Sequence, residues 1–67
     1  MDKTDFGSLP DDALLTPTEN AKWLRTTKAT LNYWRVTGGG PPWLKIGRNV
    51  RYRAGDVRSW LVRCRHD

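Results

Sequence analysis

The sequence predicts an α+β fold in which two short helices, a two-stranded β-hairpin and a closing helix follow one another. Three observations carry this. Two segments with threonine start signals, at Thr16 and Thr27, follow each other closely enough to form a helix-turn-helix. The stretch KIGRNVRYR, Lys45 to Arg53, reads as a strand, a tight basic turn and a second strand with alternate arginines. Near the end, Val57, Trp60, Leu61 and Cys64 fall at i, i+3, i+4 and i+7, the stripe of an amphipathic helix.

A chain of 67 residues is one domain at most and buries only a limited core. Its four tryptophans, Trp23, Trp34, Trp43 and Trp60, are each a large hydrophobic payload and read as compensation for that small core. The single cysteine, Cys64, excludes an internal disulfide, and with His66 it offers two ligands at most, too few for a structural zinc site. No apolar run approaches the roughly 18 residues of a membrane span. The N-terminal residues lack a basic patch followed by an apolar stretch. The expectation is a soluble, cytoplasmic protein.

The charge is placed unevenly. Residues 1–20 hold five acids and one lysine, net −4, whereas residues 21–67 hold eleven bases and two acids, net +9. A basic body suits a polyanion partner. The same composition also describes a solvated basic surface that only aids solubility.

Residues 1–13 mix Asp, Gly, Ser and Pro without periodicity and are expected to form a flexible acidic arm ahead of a folded unit over 14–67. In Thr16-Pro17-Thr18-Glu19, Thr16 is placed to cap a helix, Pro17 to start it and Glu19 to complete a capping box. That helix should run from about Pro17 to Leu24, with Ala21 and Leu24 on one face. It is too short to be stable alone and must pack on a neighbour. Thr27 is a second N-cap, opening a helix of about Lys28 to Thr37 that Gly38 ends.

Two stripes compete for the core on this second helix. Leu31 and Trp34 form one; Ala29, Tyr33 and Val36 form the other. The first pair is more hydrophobic and is assigned inward. Ala29, Asn32, Tyr33 and Val36 then point outward, flanked by Lys28 and Arg35. A small residue, an amide, an aromatic ring and flanking bases fit a DNA groove better than bulk water.

Gly38-Gly39-Gly40-Pro41-Pro42 reads as a connector, since no lysine–serine pair follows in the phosphate-loop pattern. The hairpin strands are Trp43 to Ile46 and Val50 to Arg53, with Gly47-Arg48-Asn49 as the turn. Alternation puts Val50 and Tyr52 on the core face and leaves Arg51 and Arg53 free on the other. The last helix should span about Asp56 to Cys64, with Cys64 a small core residue.

No catalytic set assembles from these parts. His66 lies in a terminal tail, Asp11 and Asp12 are adjacent in the arm, and Ser8 and Ser59 have no base at a definable distance. A non-enzymatic protein without cofactor, metal or small-molecule substrate is expected.

The series Leu15-Thr16-Pro17-x-Glu19, Leu24, Thr27, Thr30-Leu31, Trp34-Arg35, Gly40-Pro41-Pro42, Lys45-Ile46-Gly47-Arg48, Val50-Arg51-Tyr52-Arg53 and Asp56-Val57-x-x-Trp60-Leu61 resembles the excisionase-type helix-turn-helix family. That family comprises excisionases (recombination directionality factors) and AlpA-like regulators, related to the winged helix of MerR proteins. The resemblance covers about residues 14–62. It implies a winged helix-turn-helix that binds double-stranded DNA, with the second helix in the major groove and the hairpin as a wing on the adjacent backbone or minor groove. Lys28, Ala29, Asn32, Tyr33 and Arg35 fall on the reading helix, and Arg48, Asn49, Arg51 and Arg53 on the wing. Thr16, Arg25 and Thr27 are candidates for further backbone contacts. Family excisionases bend DNA beside an attachment site and help an integrase excise; they carry no catalytic centre.

Two positions depart from the family pattern. Arg25 and Thr26 stand where a small residue or glycine and a β-branched apolar residue are usual, and a left-handed Arg25 costs roughly 1 kcal/mol. Gly55 stands where a serine cap is frequent, at a cost of only a few tenths of a kcal/mol.

In this reading Asn32 reads adenine, Ala29 meets a thymine methyl, and Tyr33 stacks on sugar or donates to a phosphate. Lys28, Arg35, Arg48, Arg51 and Arg53 neutralise phosphates. Three functions compete: an excisionase, a transcriptional regulator of a prophage or mobile element, and an adaptor that binds an acidic protein. Further copies on adjacent sites, and an integrase, are the expected protein partners, with the acidic arm as a contact.

Overall fold

The computed structural model describes residues 6–65. In chain order they form a 3-10 turn (Phe6–Ser8), β1 (Leu14–Leu15), α1 (Pro17–Leu24), α2 (Lys28–Thr37), β2 (Leu44–Ile46), β3 (Asn49–Arg53) and α3 (Ala54–Arg63). The architecture is α+β, three α-helices packed with a three-stranded antiparallel sheet of order β1-β3-β2. The third strand is an addition to the expected two-stranded hairpin. Leu14 pairs with Arg53 and Leu15 with Tyr52, so β1 covers the edge of β3 that β2 leaves open.

Both early helices start and stop where their local signals lie. Thr16 Oγ1 accepts from the Glu19 amide at 3.1 Å, and Glu19 Oε1 accepts from the Thr16 amide at 2.8 Å, closing the capping box. The α1–α2 turn is a Schellman motif. Arg25 sits at φ 55°, ψ 45°, its amide donates to the Lys22 carbonyl at 3.2 Å, and the Thr26 amide reaches the Ala21 carbonyl at 2.9 Å. Glycine is the usual occupant of this left-handed position, so arginine carries the strain anticipated for it.

The core comprises Leu15, Ala21, Leu31, Tyr52, Ala54 and Val57. The largest of its fully buried side chains is Tyr52, at 1% exposure. The tryptophans are peripheral by comparison. Trp23 and Trp34 are half-buried against the core, Trp60 packs on Trp34 with ring centroids 5.6 Å apart, and Trp43 is 41% exposed. Trp43 therefore does not join the core as expected. It precedes β2, whose three residues are all exposed.

Asn20 is fully buried in α1, and neither atom of its side-chain amide finds a partner among the described residues. An unpaired buried amide is a destabilising feature. No sequence pattern marked it, because a polar residue in a short helix reads as solvent-facing.

Phe6 to Ala13 differs from the expected flexible arm; residues 1–5 of that arm lie outside the described residues. Phe6 stacks on Trp23 of α1, with centroids 5.6 Å apart and planes 7° from parallel. Arg58 of α3 donates to Asp11 Oδ1, to the Leu9 carbonyl at 2.6 Å and to the Gly7 carbonyl at 3.3 Å. The segment also caps α3. The amides of Ala54 and Gly55 donate to the carbonyls of Ala13 at 2.9 Å and Asp11 at 3.0 Å.

This backbone cap explains two further departures. α3 begins at Ala54, two residues ahead of the expected Asp56, because its first amides are satisfied from the N-terminal segment rather than by a side chain. Gly55 lies inside the helix. A Cβ there would stand 2.9 Å from Asp11 Cβ, so glycine lets the two backbones approach. At the other end α3 stops at Arg63, and Cys64, expected in the core, is exposed.

Candidate nucleic-acid interface

The second helix settles which of its stripes is inward. Its N-cap holds, with Thr27 Oγ1 accepting from the Thr30 amide at 3.1 Å, and the Gly38 amide closes the far end on the Trp34 carbonyl at 2.8 Å. Leu31 is 1% exposed and Trp34 is half-buried. The loop beyond locks Trp34 in place. Gly40, at φ 75°, lies where any Cβ would meet the indole at 2.8 Å, so Gly40 seals the inner face. On the outer face Lys28, Ala29 and Asn32 are exposed, Tyr33 is 64% exposed and Val36 79%.

Arg35 departs from its expected role as a free phosphate-neutralising cation. It is half-buried, its Nη1 donates to Tyr52 Oη at 2.6 Å, and its Nη2 donates to Asn32 Oδ1 at 3.3 Å. These bonds tie the outer face of α2 to the central strand β3.

Gly47 and Arg48 form the two-residue loop of the hairpin, because Ile46 pairs with Asn49. Gly47 takes the positive φ, 63°, at the first loop position, which suits a type II′ turn. Asn49, expected in the turn, is thus the first residue of β3. Arg48 and Asn49 are exposed at the tip, together with Lys45.

The base of the hairpin is different. Val50 and Tyr52 face the core as expected, but Arg51 and Arg53 are half-buried and engaged rather than free. Arg51 Nη1 donates to the Val50 carbonyl at 2.7 Å, and Arg53 pairs with Asp56 of α3 at 3.3 Å. The latter pair is weak, since both side chains are more than a third exposed (40% and 36%). Register also brings Leu44 opposite Arg51 and Ile46 opposite Asn49, so two exposed apolar side chains share the arginine-bearing face. Strand alternation from Leu44 to Arg53 carries the signal of that mixture.

Among the candidates for backbone contact, Arg25 is exposed at the α1–α2 turn. Thr16 and Thr27 use their hydroxyl oxygens as helix caps, and Thr27 also bonds the Thr30 hydroxyl at 3.0 Å. Among the described residues the side chains of Arg25, Lys28, Lys45 and Arg48 make neither an ion pair nor a hydrogen bond, whereas Arg35 and Arg51 are held by hydrogen bonds and Arg53 and Arg58 by ion pairs. Lys45 adds a tip cation that the sequence reading left without a role.

Among the described residues there is no group of three or more His, Cys, Asp or Glu side chains able to hold a metal ion, and no pocket. No helix among them is long and apolar enough to cross a membrane. The surface thus consists of an exposed helix face tied to a sheet that ends in a basic hairpin tip. Comparison with protein-family models gives no match, and none of the curated proteins matches the chain.

Proposed function

We propose that this chain is a sequence-specific DNA-binding protein of the excisionase type, with the fold of a small winged helix-turn-helix. α2 enters the major groove, where Asn32 and Ala29 meet base edges and Tyr33 meets the backbone. The β2–β3 hairpin is the wing, gripping the adjacent phosphates through Arg48 and Asn49 at its tip. The observation that carries this reading is the outer face of α2. Tyr33 and Val36 are 64% and 79% exposed on a helix whose opposite face is buried, and the exposed, unpaired Lys28 stands at the start of that helix. Binding beside an attachment site and bending it would direct an integrase towards excision. Further copies on adjacent sites, and the integrase, are the partners this implies.

Salt titration of duplex binding tests the DNA reading. The expected log–log slope is about −2.7 to −3.6, from about three or four unpaired cations at roughly 0.9 each. A slope of about −4 to −5, the value for a grip by the five cations Lys28, Arg35, Arg48, Arg51 and Arg53, would mean that Arg35, Arg51 and Arg53 leave their present partners. A slope near zero contradicts DNA binding and leaves an adaptor for an acidic protein. An excision assay with a cognate integrase then separates an excisionase from a regulator, which would change promoter output without promoting excision.

A further inference from the structure

The bonds of Arg35 point to a division of labour within the proposed interface. We propose that Arg35 and Tyr52 form a positioning pair that sets the orientation of the Asn32 amide, making Arg35 a specificity-determining residue rather than a phosphate ligand. This rests on the reading of α2 as the helix that meets DNA bases.

One terminal nitrogen of Arg35 donates to Tyr52 Oη at 2.6 Å and the other to Asn32 Oδ1 at 3.3 Å. Two bonds to separate acceptors fix the plane of the guanidinium. The first acceptor is a firm anchor: Tyr52 is 1% exposed and lies on β3, the central strand. The second is exposed, on the face turned away from the core.

A guanidinium has donors and no acceptor. The Asn32 group facing it must therefore be the amide oxygen, with the amide nitrogen turned away. Rotation of an asparagine amide about its last torsion is broad and nearly two-fold in the absence of such a bond. Arg35 selects one of the two orientations. The oxygen keeps a second lone pair, and the nitrogen keeps both donors.

That orientation matters for reading a base. Adenine presents an acceptor, N7, beside a donor, the N6 amino group, in the major groove. An asparagine side chain matches it by donating from nitrogen and accepting at oxygen, and a flipped amide inverts the match. Setting the amide before DNA arrives removes one rotational freedom that binding would otherwise have to freeze. Arg35 and Asn32 are one helical turn apart, and the anchor lies on another element. Sequence specificity would then depend on the sheet as well as on the helix.

Tyr52→Phe tests this without altering any charge. A duplex selected from a randomised library by the unaltered chain serves as specific DNA, and scrambled duplex as the control. The expected result is a loss of about tenfold on the selected duplex, towards the lower end for a bidentate amide–base contact, with scrambled-DNA affinity and salt slope unchanged. In the free protein, NMR relaxation of the Asn32 side-chain NH2 should show an ordered group that becomes mobile in the variant. Arg35→Lys keeps the charge but cannot fork to both acceptors, so it should reproduce both effects and carries the test if Tyr52→Phe folds poorly. An unchanged preference for the selected duplex, or an Asn32 amide equally mobile with and without the anchor, overturns the positioning pair while leaving DNA binding intact. Failure of the unaltered chain to enrich any sequence overturns the base-reading role of α2 and the pair with it.

Discussion

At the base of the β2–β3 hairpin, Tyr52 is 1% exposed, pairs with Leu15 of β1 and receives a bond from Arg35; the two arginines beside it are bonded within the fold. At the tip, Lys45, Arg48 and Asn49 are exposed, and the two cations have no ion pair among the described residues. The same nine residues thus contain an internal brace and a free basic surface. Arginines alternating along a strand look equivalent in sequence. Their partners make them unequal, because Arg53 meets the first turn of α3 whereas Arg48 sits beyond the sheet. On the proposed reading, stability belongs to the base and binding to the tip.

Substitution of Tyr52 by alanine should break that contrast most severely. Removing a fully buried aromatic side chain costs about 3–5 kcal/mol, comparable to the whole stability of a domain this small. Chemical denaturation should find Tyr52→Ala largely unfolded. Arg48→Ala should stay within about 0.5 kcal/mol of the unaltered chain while lowering the salt slope of DNA binding by about 1. If Arg48→Ala were as destabilising as Tyr52→Ala, the separation of base from tip would be wrong.

A smaller effect is expected behind the hairpin. Arg58 braces the N-terminal segment that caps α3, donating to Asp11 and to two carbonyls. Arg58→Ala should cost about 1–2 kcal/mol, since these bonds are partly solvated. Loss of the Phe6–Trp23 ring contact, read by NMR, should accompany it. Retention of that contact at full stability would show that the segment docks without Arg58.

The smallest effect has the opposite sign. Arg25→Gly relieves a left-handed residue worth roughly 1 kcal/mol, partly offset by the greater freedom of glycine in the unfolded chain. A net gain of a few tenths of a kcal/mol in thermal or chemical denaturation is expected. The same change removes an unpaired cation, so the salt slope should become shallower if Arg25 touches phosphate.

What could be read in the sequence follows the range of the interactions concerned. The limits of α1 and α2 were legible because Thr16 with Glu19, Thr27 with Thr30, and Gly38 are local signals within one turn. The inward face of α2 followed from Leu31 and Trp34, and the hairpin from the turn signal Gly47-Arg48-Asn49 with its alternating flanks, though Asn49 itself opens β3. What escaped depends on residues far apart in the chain. α3 starts early because Asp11 and Ala13 accept its first amides. Leu14 and Leu15 become a strand only because β3 offers them an edge. Arg35 looked like one more phosphate-binding cation because its anchor, Tyr52, lies on another element. Trp43 misled for a different reason: hydrophobic size argues for burial, but a small fold has little interior to offer.

The central claim is that the outer face of α2 and the tip of the hairpin meet duplex DNA together. Amide chemical-shift mapping during titration with a selected duplex tests it most directly. The account predicts joint shifts at Lys28, Ala29, Asn32, Tyr33, Arg48 and Asn49, with Ser59, Val62 and Arg63 of α3 unmoved. Shifts confined to α3, or none at near-physiological salt, would contradict it.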